Sequence, residues 1–188
     1  MKKFILLIVF IIPLYTYSQN ENKLELSVAG KGIVDIRSNM SYNTGMELEW
    51  QPKGNFGLNY SLRFGNYYDK GFMFQCPASL VLGLVAVACM ANYDDILSAG
   101  GLVFCFIPEG ISYNIPLWDN DGLRLAPYVN PLILEITQED VGMILEVGSK
   151  LKFQLGNNAF AALDFSLQSP YKEYSINTCL GMSLGVRW

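Results

Sequence analysis

Residues 174–188 alternate between apolar and small or polar side chains, and this pattern constrains the fold more than any other feature of the sequence. A period of two residues is typical of a β-strand whose two faces meet different environments. Similar alternation runs through residues 24–36, 56–64 and 141–155. Several of these runs exceed the ~5–6 residues of an ordinary soluble strand and match the ~9–11 residues of a tilted strand that crosses a membrane. The chain is therefore predicted to be all-β.

Turn signals divide these runs in a regular order. Tight polar turns occur at residues 52–55, 119–122 and 156–158, and longer links occur at 38–44, 137–140 and 169–172. Such an alternation is expected of an outer-membrane barrel, which has short periplasmic turns and longer external loops. The pattern predicts an antiparallel up-and-down transmembrane β-barrel.

A soluble barrel would also alternate, but several features favour the membrane. The polar face of the strands is rich in Gly, Ser, Ala and Asn, which suit a narrow lumen better than a surface in water. The charged fraction is low, at 16%, and the mean hydropathy is positive, at +0.23. Strand directions place an aromatic girdle of Trp50, Trp118 and Trp188 at one rim. Tyrosines fall toward the other rim: Tyr42, Tyr67, Tyr68, Tyr171 and Tyr174.

The first residues match a secretory signal peptide. Lys2 and Lys3 form a positive start, residues 4–14 form an apolar stretch, and residues 15–20 form a short polar stretch that would hold the cleavage site. The apolar stretch is too short to span a membrane as a helix. We expect residues 1–19 to be a cleaved signal peptide and residues 20–188 to form one exported barrel domain.

The chain ends on its last predicted strand with an aromatic residue, Trp188, preceded by apolar residues at alternate positions. This ending resembles the C-terminal assembly signal of bacterial outer-membrane proteins, and the whole mature chain resembles the OmpA/OmpX-like family of small outer-membrane β-barrels. The resemblance implies a place in the outer membrane of a Gram-negative bacterium, surrounded by outer-membrane lipid. It also implies that the barrel-assembly machinery recognises the C-terminal strand.

Residues 77–108 depart from the family pattern because they are continuously apolar over long stretches. They predict an apolar helix at about 79–91 and a second apolar helix or strand at 96–107. Without this insert the strands number eight, near 23–37, 45–51, 56–65, 109–117, 123–136, 141–155, 159–168 and 173–188. The insert then lies in the second external loop. If residues 72–82 and 102–107 are strands, the number is ten and the rest of the insert faces the periplasm. We favour eight, since the middle runs alternate poorly.

Charged residues on the polar faces of the predicted strands should point into the lumen. They are Glu25, Glu47, Glu49, Arg63, Glu146, Lys150, Lys152, Asp164 and Arg187. They could line a selective channel or form a sealed network of ion pairs, and the lumen of an eight-stranded barrel is usually filled by side chains. Closure of the barrel predicts that Glu25 and Arg187 face each other across the seam between the first and last strands.

The sequence offers little that would support catalysis or cofactor binding. Its four cysteines form no metal-binding spacing, although Cys89 and Cys105 could form a disulfide across the insert, with free thiols as the alternative. Known enzymes of this barrel class mostly place a histidine beside a serine or aspartate, and this chain has no histidine. We therefore expect no catalytic residue, no cofactor and no metal site. The net charge of −4 disfavours a nucleic-acid partner.

Two functions remain open on the sequence alone. The favoured one is a non-enzymatic outer-membrane barrel with a structural, surface or partner-binding role. The alternative is a narrow, porin-like channel or carrier for small or apolar solutes, gated by the 77–108 insert. The insert itself could be a packed lid that caps the barrel, or it could bind a protein or lipid partner, because large apolar patches often mark such sites.

Overall fold

The computed structural model describes residues 22–68, 71–90, 101–118, 122–172 and 175–188. The predicted signal peptide lies outside the described residues. The strands are β1 Lys23–Val34, β2 Met40–Lys53, β3 Phe56–Tyr67, β4 Gly71–Pro77, β5 Gly110–Tyr113, β6 Ile115–Pro116, β7 Leu123–Thr137, β8 Val141–Gln154, β9 Ala159–Pro170 and β10 Asn177–Arg187. One helix, α1 Ala78–Met90, follows β4, and residues 101–104 are also helical.

The strands form a closed antiparallel barrel with eight positions around its wall. Apart from β4, β5 and β6, strands that follow each other in the chain are paired in the wall, and β1 closes the ring by pairing with β10. The fourth position is shared: β4 and β5 both lie between β3 and β7, and the two-residue β6 continues β5 along β7. The predicted all-β barrel of eight strands is confirmed, with β5 and β6 as additional segments of the fourth position.

Side chains alternate between the lumen and the outer surface along each strand. In β1, β2 and β3 the odd-numbered residues are mostly buried in the lumen, while the even-numbered ones face outward. In β7 the buried set changes from even to odd numbers between Asn130 and Ile133. A β-bulge lies at that point, because three steps along β7 oppose two along β8. The bulge allows both halves of β7 to turn their polar residues inward.

The insert leaves the barrel wall halfway along the fourth position. Gln75 is paired with Arg63, so Pro77 comes opposite Ser61, while Gly110 is paired with Asn59. The gap between β4 and β5 therefore lies at the middle of β3. The expected place in the second external loop is wrong, and so is the periplasmic alternative. Pro77 ends β4 because proline has no N–H with which to continue a ladder.

The two ends of the barrel differ in their aromatic residues. Trp50 is paired with Leu24, and Leu24 in turn exchanges backbone hydrogen bonds with Trp188. Trp118 follows β6 at this same lower rim. At the upper rim Tyr42, Tyr68 and Tyr171 are exposed, while Tyr67 packs inside and Tyr174 lies outside the described residues. None of the described helices is long and apolar enough to cross a membrane.

Candidate functional site in the lumen

The lower part of the lumen is organised around Glu25, which is buried on β1. Its carboxylate accepts hydrogen bonds from Arg124 at 2.7 Å and from Lys152 at 2.6 Å. Lys152 also bridges to Glu49 at 2.7 Å and donates to the Asn114 Oδ1 at 3.0 Å. Each of these side chains comes from a different strand or loop, so the cluster ties the lower halves of the strands together across the lumen.

A second cluster fills the middle of the lumen around Glu146, which is inaccessible to solvent. Its carboxylate accepts hydrogen bonds from Lys31 at 2.6 Å, Arg63 at 2.8 Å, Ser166 at 2.8 Å and Tyr128 at 3.0 Å. Four donors use most of the acceptor capacity of a carboxylate. Such saturation keeps the charge of Glu146 occupied within the protein and leaves little capacity for a ligand.

The same cluster continues through Glu47 and Asp164. Glu47 pairs with Arg63 at 2.8 Å and with Lys150 at 2.6 Å. Asp164 pairs with Lys31 at 2.6 Å. Positive and negative groups therefore alternate across the middle of the barrel. The geometry is that of a mutually neutralising network, in which no cationic or anionic ring lines an open path.

The lumen is closed around and above these clusters. The central cavity has a volume of about 20 Å³, which is room for about one water molecule. Above the middle cluster, Ile33, Met73 and Cys179 form a small apolar core against which Tyr67 packs. A larger cavity of about 430 Å³ opens above this core at the upper rim. The apolar core separates the upper cavity from the charged clusters.

All nine charged residues that the sequence places in the lumen lie there in the structure. Glu25, Glu47, Glu49, Arg63, Glu146, Lys152 and Asp164 are buried, while Lys150 and Arg187 are partly exposed. Glu25 is paired with Arg187 in the β1–β10 ladder, and their side chains approach to 3.5 Å. Arg124 and Lys152 lie closer to Glu25 than Arg187 does, so the seam pair belongs to the edge of a larger cluster.

Several buried polar and charged residues of the lumen are absent from the residues that sequence analysis selected. They are Lys31, Arg124, Tyr128, Glu109 and Glu135. Lys31 occupies a polar position in a clearly alternating run, so the alternation alone predicts that its side chain faces the lumen. The face of Arg124 and Tyr128 depends on the bulge in β7, whose position the sequence does not mark.

Tyr128 also lies beneath two ammonium groups, with Lys31 and Lys150 Nζ at 5.5 and 5.4 Å from its ring centre.

The suggested disulfide between Cys89 and Cys105 is not formed, and all four cysteines are free thiols. Cys105 lies against Gly83 and directs its Sγ toward the carbonyl oxygens of Leu80 and Gly101. Cys89 is six residues, or about 9 Å of helix, further along α1 than Gly83. The alternative of free thiols is therefore the one that the structure has. The described residues contain no group of side chains suited to hold a metal ion.

Solved structures with this architecture are small eight-stranded barrels. Neisserial surface protein A aligns over 88% of this chain and 95% of its own, at 8% identity and a TM-score of 0.50. The N-terminal β-barrel domain of OprF from Pseudomonas aeruginosa aligns over 87% and 97%, at 13% identity and a TM-score of 0.48. Ail, the attachment invasion locus protein of Yersinia pestis, aligns over 89% and 97%, at 6% identity and a TM-score of 0.48.

No protein-family model and no curated protein matches the sequence. At these identities the likeness concerns the fold alone. The chain has the fold of a small eight-stranded antiparallel β-barrel, which is also the fold of Neisserial surface protein A. The expected resemblance is confirmed at that level.

Proposed function

We propose that this protein is a sealed, non-enzymatic barrel of the outer membrane of a Gram-negative bacterium, with a structural, surface or partner-binding role. It reaches that membrane after export and loss of residues 1–19, and the barrel-assembly machinery recognises its C-terminal strand. The observation that carries the proposal is the charged network that fills the lumen. A barrel whose interior is occupied by ion pairs serves as a rigid membrane anchor and does not conduct.

The outer surface supports a place in a membrane. Large apolar side chains stand exposed around the wall, among them Val28, Phe64, Phe165, Leu180 and Met182. The charged residues of the same strands point inward. A soluble barrel would have the opposite arrangement, with its apolar side chains inside and its charges in water. The exposed apolar face is therefore best explained by contact with lipid.

The closed lumen disfavours the alternative of a channel or carrier. A solute would have to displace both clusters and then the apolar core of Ile33, Met73 and Cys179. The hairpin that follows Pro77 is attached to the outer side of the wall, through a hydrogen bond from the outward-facing Tyr60 to Phe106. It is not placed to open or close a path through the lumen.

The absence of histidine from the sequence supports a non-enzymatic role, since histidine is the usual acid–base catalyst near neutral pH. The buried carboxylates of Glu25 and Glu146 are each held by at least two cations. A carboxylate engaged in this way is a poor base and is out of reach of a substrate.

Two measurements test the proposal. The outer-membrane fraction is first run on an SDS gel with and without boiling, and a faster unboiled band is expected from a compact detergent-resistant barrel. The purified protein is then added to planar lipid bilayers, where we expect no steady single-channel current. A double variant, Arg63→Ala with Glu146→Ala, removes one cation and one anion from the middle cluster but leaves the lower cluster and the apolar core in place, so it should also be silent.

The possible results separate the proposals. Steady current from the native protein would show an open lumen and favour the channel. Silence from both proteins, each with the fast unboiled band, would support a seal formed by both clusters and the apolar core, and current from the double variant alone would show that the middle cluster by itself closes the lumen. Recovery of the protein in the soluble periplasm would contradict the membrane location altogether.

A further inference from the structure

The hairpin of residues 78–107, of which 78–90 and 101–107 are described, leaves the wall on its outer side. Tyr60 belongs to the outward-facing residues of β3, and its hydroxyl donates to the Phe106 carbonyl oxygen at 2.7 Å. Within the hairpin, Gly83 lies against Cys105 and Gly101 lies against Val87. These contacts show that α1 and the second helical segment run antiparallel, side by side.

The described part of the hairpin is apolar on every side. Residues 78–90 and 101–107 contain no Asp, Glu, Lys or Arg. Leu82, Val85, Val103 and Phe104 are each more than half exposed. A helix that is apolar all round occurs in a protein core or in a membrane, and one exposed in this way to water would promote aggregation. The barrel supplies no core for it, since the lumen is filled.

The polar backbone groups at the end of the hairpin are satisfied from within the protein. The carbonyl oxygens of Leu102, Val103 and Phe104 accept from the backbone N–H groups three residues later. Two later carbonyls use side chains: Phe106 accepts from Tyr60, and Ile107 accepts from Ser79 Oγ at 2.6 Å. Exposed carbonyls at a helix end usually bond to water, which is absent from hydrocarbon. Internal satisfaction of these groups is expected of a helix end that lies in lipid.

The two segments pack through glycine, as helices in membranes commonly do. A Cβ atom on Gly83 would come within 2.4 Å of the Cys105 Sγ, and one on Gly101 would come within 3.0 Å of Val87. Helices in lipid gain little from hydrophobic burial against each other, and they associate instead through close backbone approach at small residues.

We propose that this hairpin is embedded in the hydrocarbon of the lipid bilayer beside the barrel, where its exposed side chains contact lipid acyl chains. The proposal rests on the membrane location of the barrel proposed above. The hairpin starts at the middle of the wall, and the 13 residues of α1 extend about 20 Å. Half of the hydrocarbon core measures about 15 Å, so α1 fits within one leaflet when it is inclined to the membrane normal. The hairpin thus enters one leaflet without crossing the bilayer.

Cys89 provides a native probe for this placement, since it is exposed near the end of α1. In a Cys105→Ser variant, an environment-sensitive fluorophore on Cys89 is the reporter, because Cys76 and Cys179 are buried. The refolded protein is placed in phosphatidylcholine vesicles that carry either nitroxide-labelled acyl chains or iodide in the aqueous phase. We expect strong quenching by the acyl nitroxide and little quenching by iodide.

Two further variants, each with one accessible cysteine beside the buried Cys76 and Cys179, calibrate the measurement, both in a background with Cys89 and Cys105 replaced by Ser. Leu180→Cys places the fluorophore on the outward face of β10, where the proposed barrel contacts lipid. Ile36→Cys places it in the exposed loop after β1, where it should meet water. Each variant is first checked for the fast unboiled band, and Cys105→Ala replaces Cys105→Ser if the latter lacks it.

The outcomes distinguish this inference from the proposed function. Quenching of the Cys89 probe by acyl nitroxide, at a level similar to the Leu180→Cys probe, would support the embedded hairpin. Quenching of Leu180→Cys by nitroxide with Cys89 quenched by iodide would overturn the hairpin proposal and leave the membrane barrel intact. Shielding of Cys89 from both quenchers would indicate that a protein covers the hairpin, which also contradicts it. Quenching of all three probes by iodide would overturn the membrane location and the inference with it.

Discussion

At the scale of single residues, the lumen is held together by carboxylates that each neutralise more than one cation. Glu146 contacts Lys31 and Arg63, and both cations have further carboxylate partners in Asp164 and Glu47. Burial of a charge is costly unless it is paired and hydrogen-bonded. The consequence is that removal of one member leaves an uncompensated charge in an interior that admits almost no water.

Glu146→Gln should therefore destabilise the barrel strongly. The substitution keeps the shape of the side chain and removes its charge, so Lys31 and Arg63 lose their shared counter-ion. We expect the free energy of unfolding to fall by about 3–5 kcal/mol, as for other broken buried ion pairs. Urea unfolding of the folded barrel in detergent or lipid measures the change. Glu139→Gln, on an exposed position, is the matched control and should stay within about 0.5 kcal/mol of the native protein.

The seam pair allows a comparison within one cluster. Glu25 is buried and holds Arg124 and Lys152 at 2.7 and 2.6 Å, whereas Arg187 is partly exposed and lies 3.5 Å from Glu25. Glu25→Gln should cost about 3–5 kcal/mol because two buried cations lose their partner. Arg187→Gln should cost less than Glu25→Gln, because Glu25 keeps its two nearer cations. If both variants lost the same free energy of unfolding in urea, the Glu25–Arg187 pair itself would account for the stability of the cluster.

The loop between β1 and β2 contains a carboxylate whose titration can be followed. Asp35 accepts hydrogen bonds from the backbone N–H groups of Asn39 and Arg37, both at 2.8 Å, and these bonds lower the pKa of Asp35. These hydrogen bonds stabilise the folded loop fully above the usual Asp pKa of about 3.9. Their contribution to its stability is lost as the pH falls through the lowered pKa. The amide NMR signals of Arg37 and Asn39 should shift together, with a midpoint below about 3.9. In Asp35→Asn the shared transition should disappear; a midpoint at or above the usual value would contradict the contact.

At the scale of the strands, the β2–β3 pair depends on glycine where the two backbones come close. A Cβ atom on Gly45 would lie 2.0 Å from the Leu62 carbonyl oxygen of β3. Gly45→Ala therefore requires the ladder itself to move, and we expect a loss of about 1–3 kcal/mol, as for overpacked sites. Gly30→Ala on the outer face of β1 is the matched control, since no atom lies within 4 Å of its Cβ position. A loss at Gly30 equal to that at Gly45 would point to strand propensity instead of close approach as the cause.

The strands also show what sequence alone could establish. The strictly alternating runs of β1, β3 and β10 gave both the strands and the lumen side of Glu25 and Arg63, because a period of two fixes the two faces. The faces of β7 could not be predicted, since one extra residue at the bulge reverses them between Asn130 and Ile133. Sequence analysis predicted β4 only in the ten-strand alternative, as part of a strand at 72–82, because Cys76 and Pro77 run directly into the apolar helix and no polar turn marks the end of β4.

At the scale of the whole molecule, the hairpin is an insertion into an otherwise continuous strand. The register places Pro77 opposite Ser61 and pairs Gly110 with Asn59, which leaves room for one residue opposite Tyr60. Glu109 already occupies that place in the ladder, because its N–H donates to Asn59 at 2.9 Å and its carbonyl accepts from Leu132 at 3.0 Å. The barrel therefore has a complete fourth position once the residues between Pro77 and Glu109 are removed.

A variant without residues 78–108 should consequently fold as a plain eight-stranded barrel. In the native structure the Glu109 side chain lies in the lumen and accepts a hydrogen bond from Ser61 Oγ at 3.0 Å. In the regular ladder of the shortened strand, residue 109 would instead turn outward into lipid between two lumen-facing neighbours, so Glu109→Leu is combined with the deletion. We expect the variant to keep the fast unboiled band and the β-sheet circular dichroism of the native protein, and to remain silent in planar bilayers. Deletion of residues 78–109, one residue longer, is the matched control: it would turn Ser112 and Asn114 toward lipid, since a shift of one residue exchanges the faces of a strand. Loss of the fast band in both variants would mean that the hairpin is part of the folding unit, whereas its loss in the longer deletion alone would establish the hairpin as an insertion into a complete barrel.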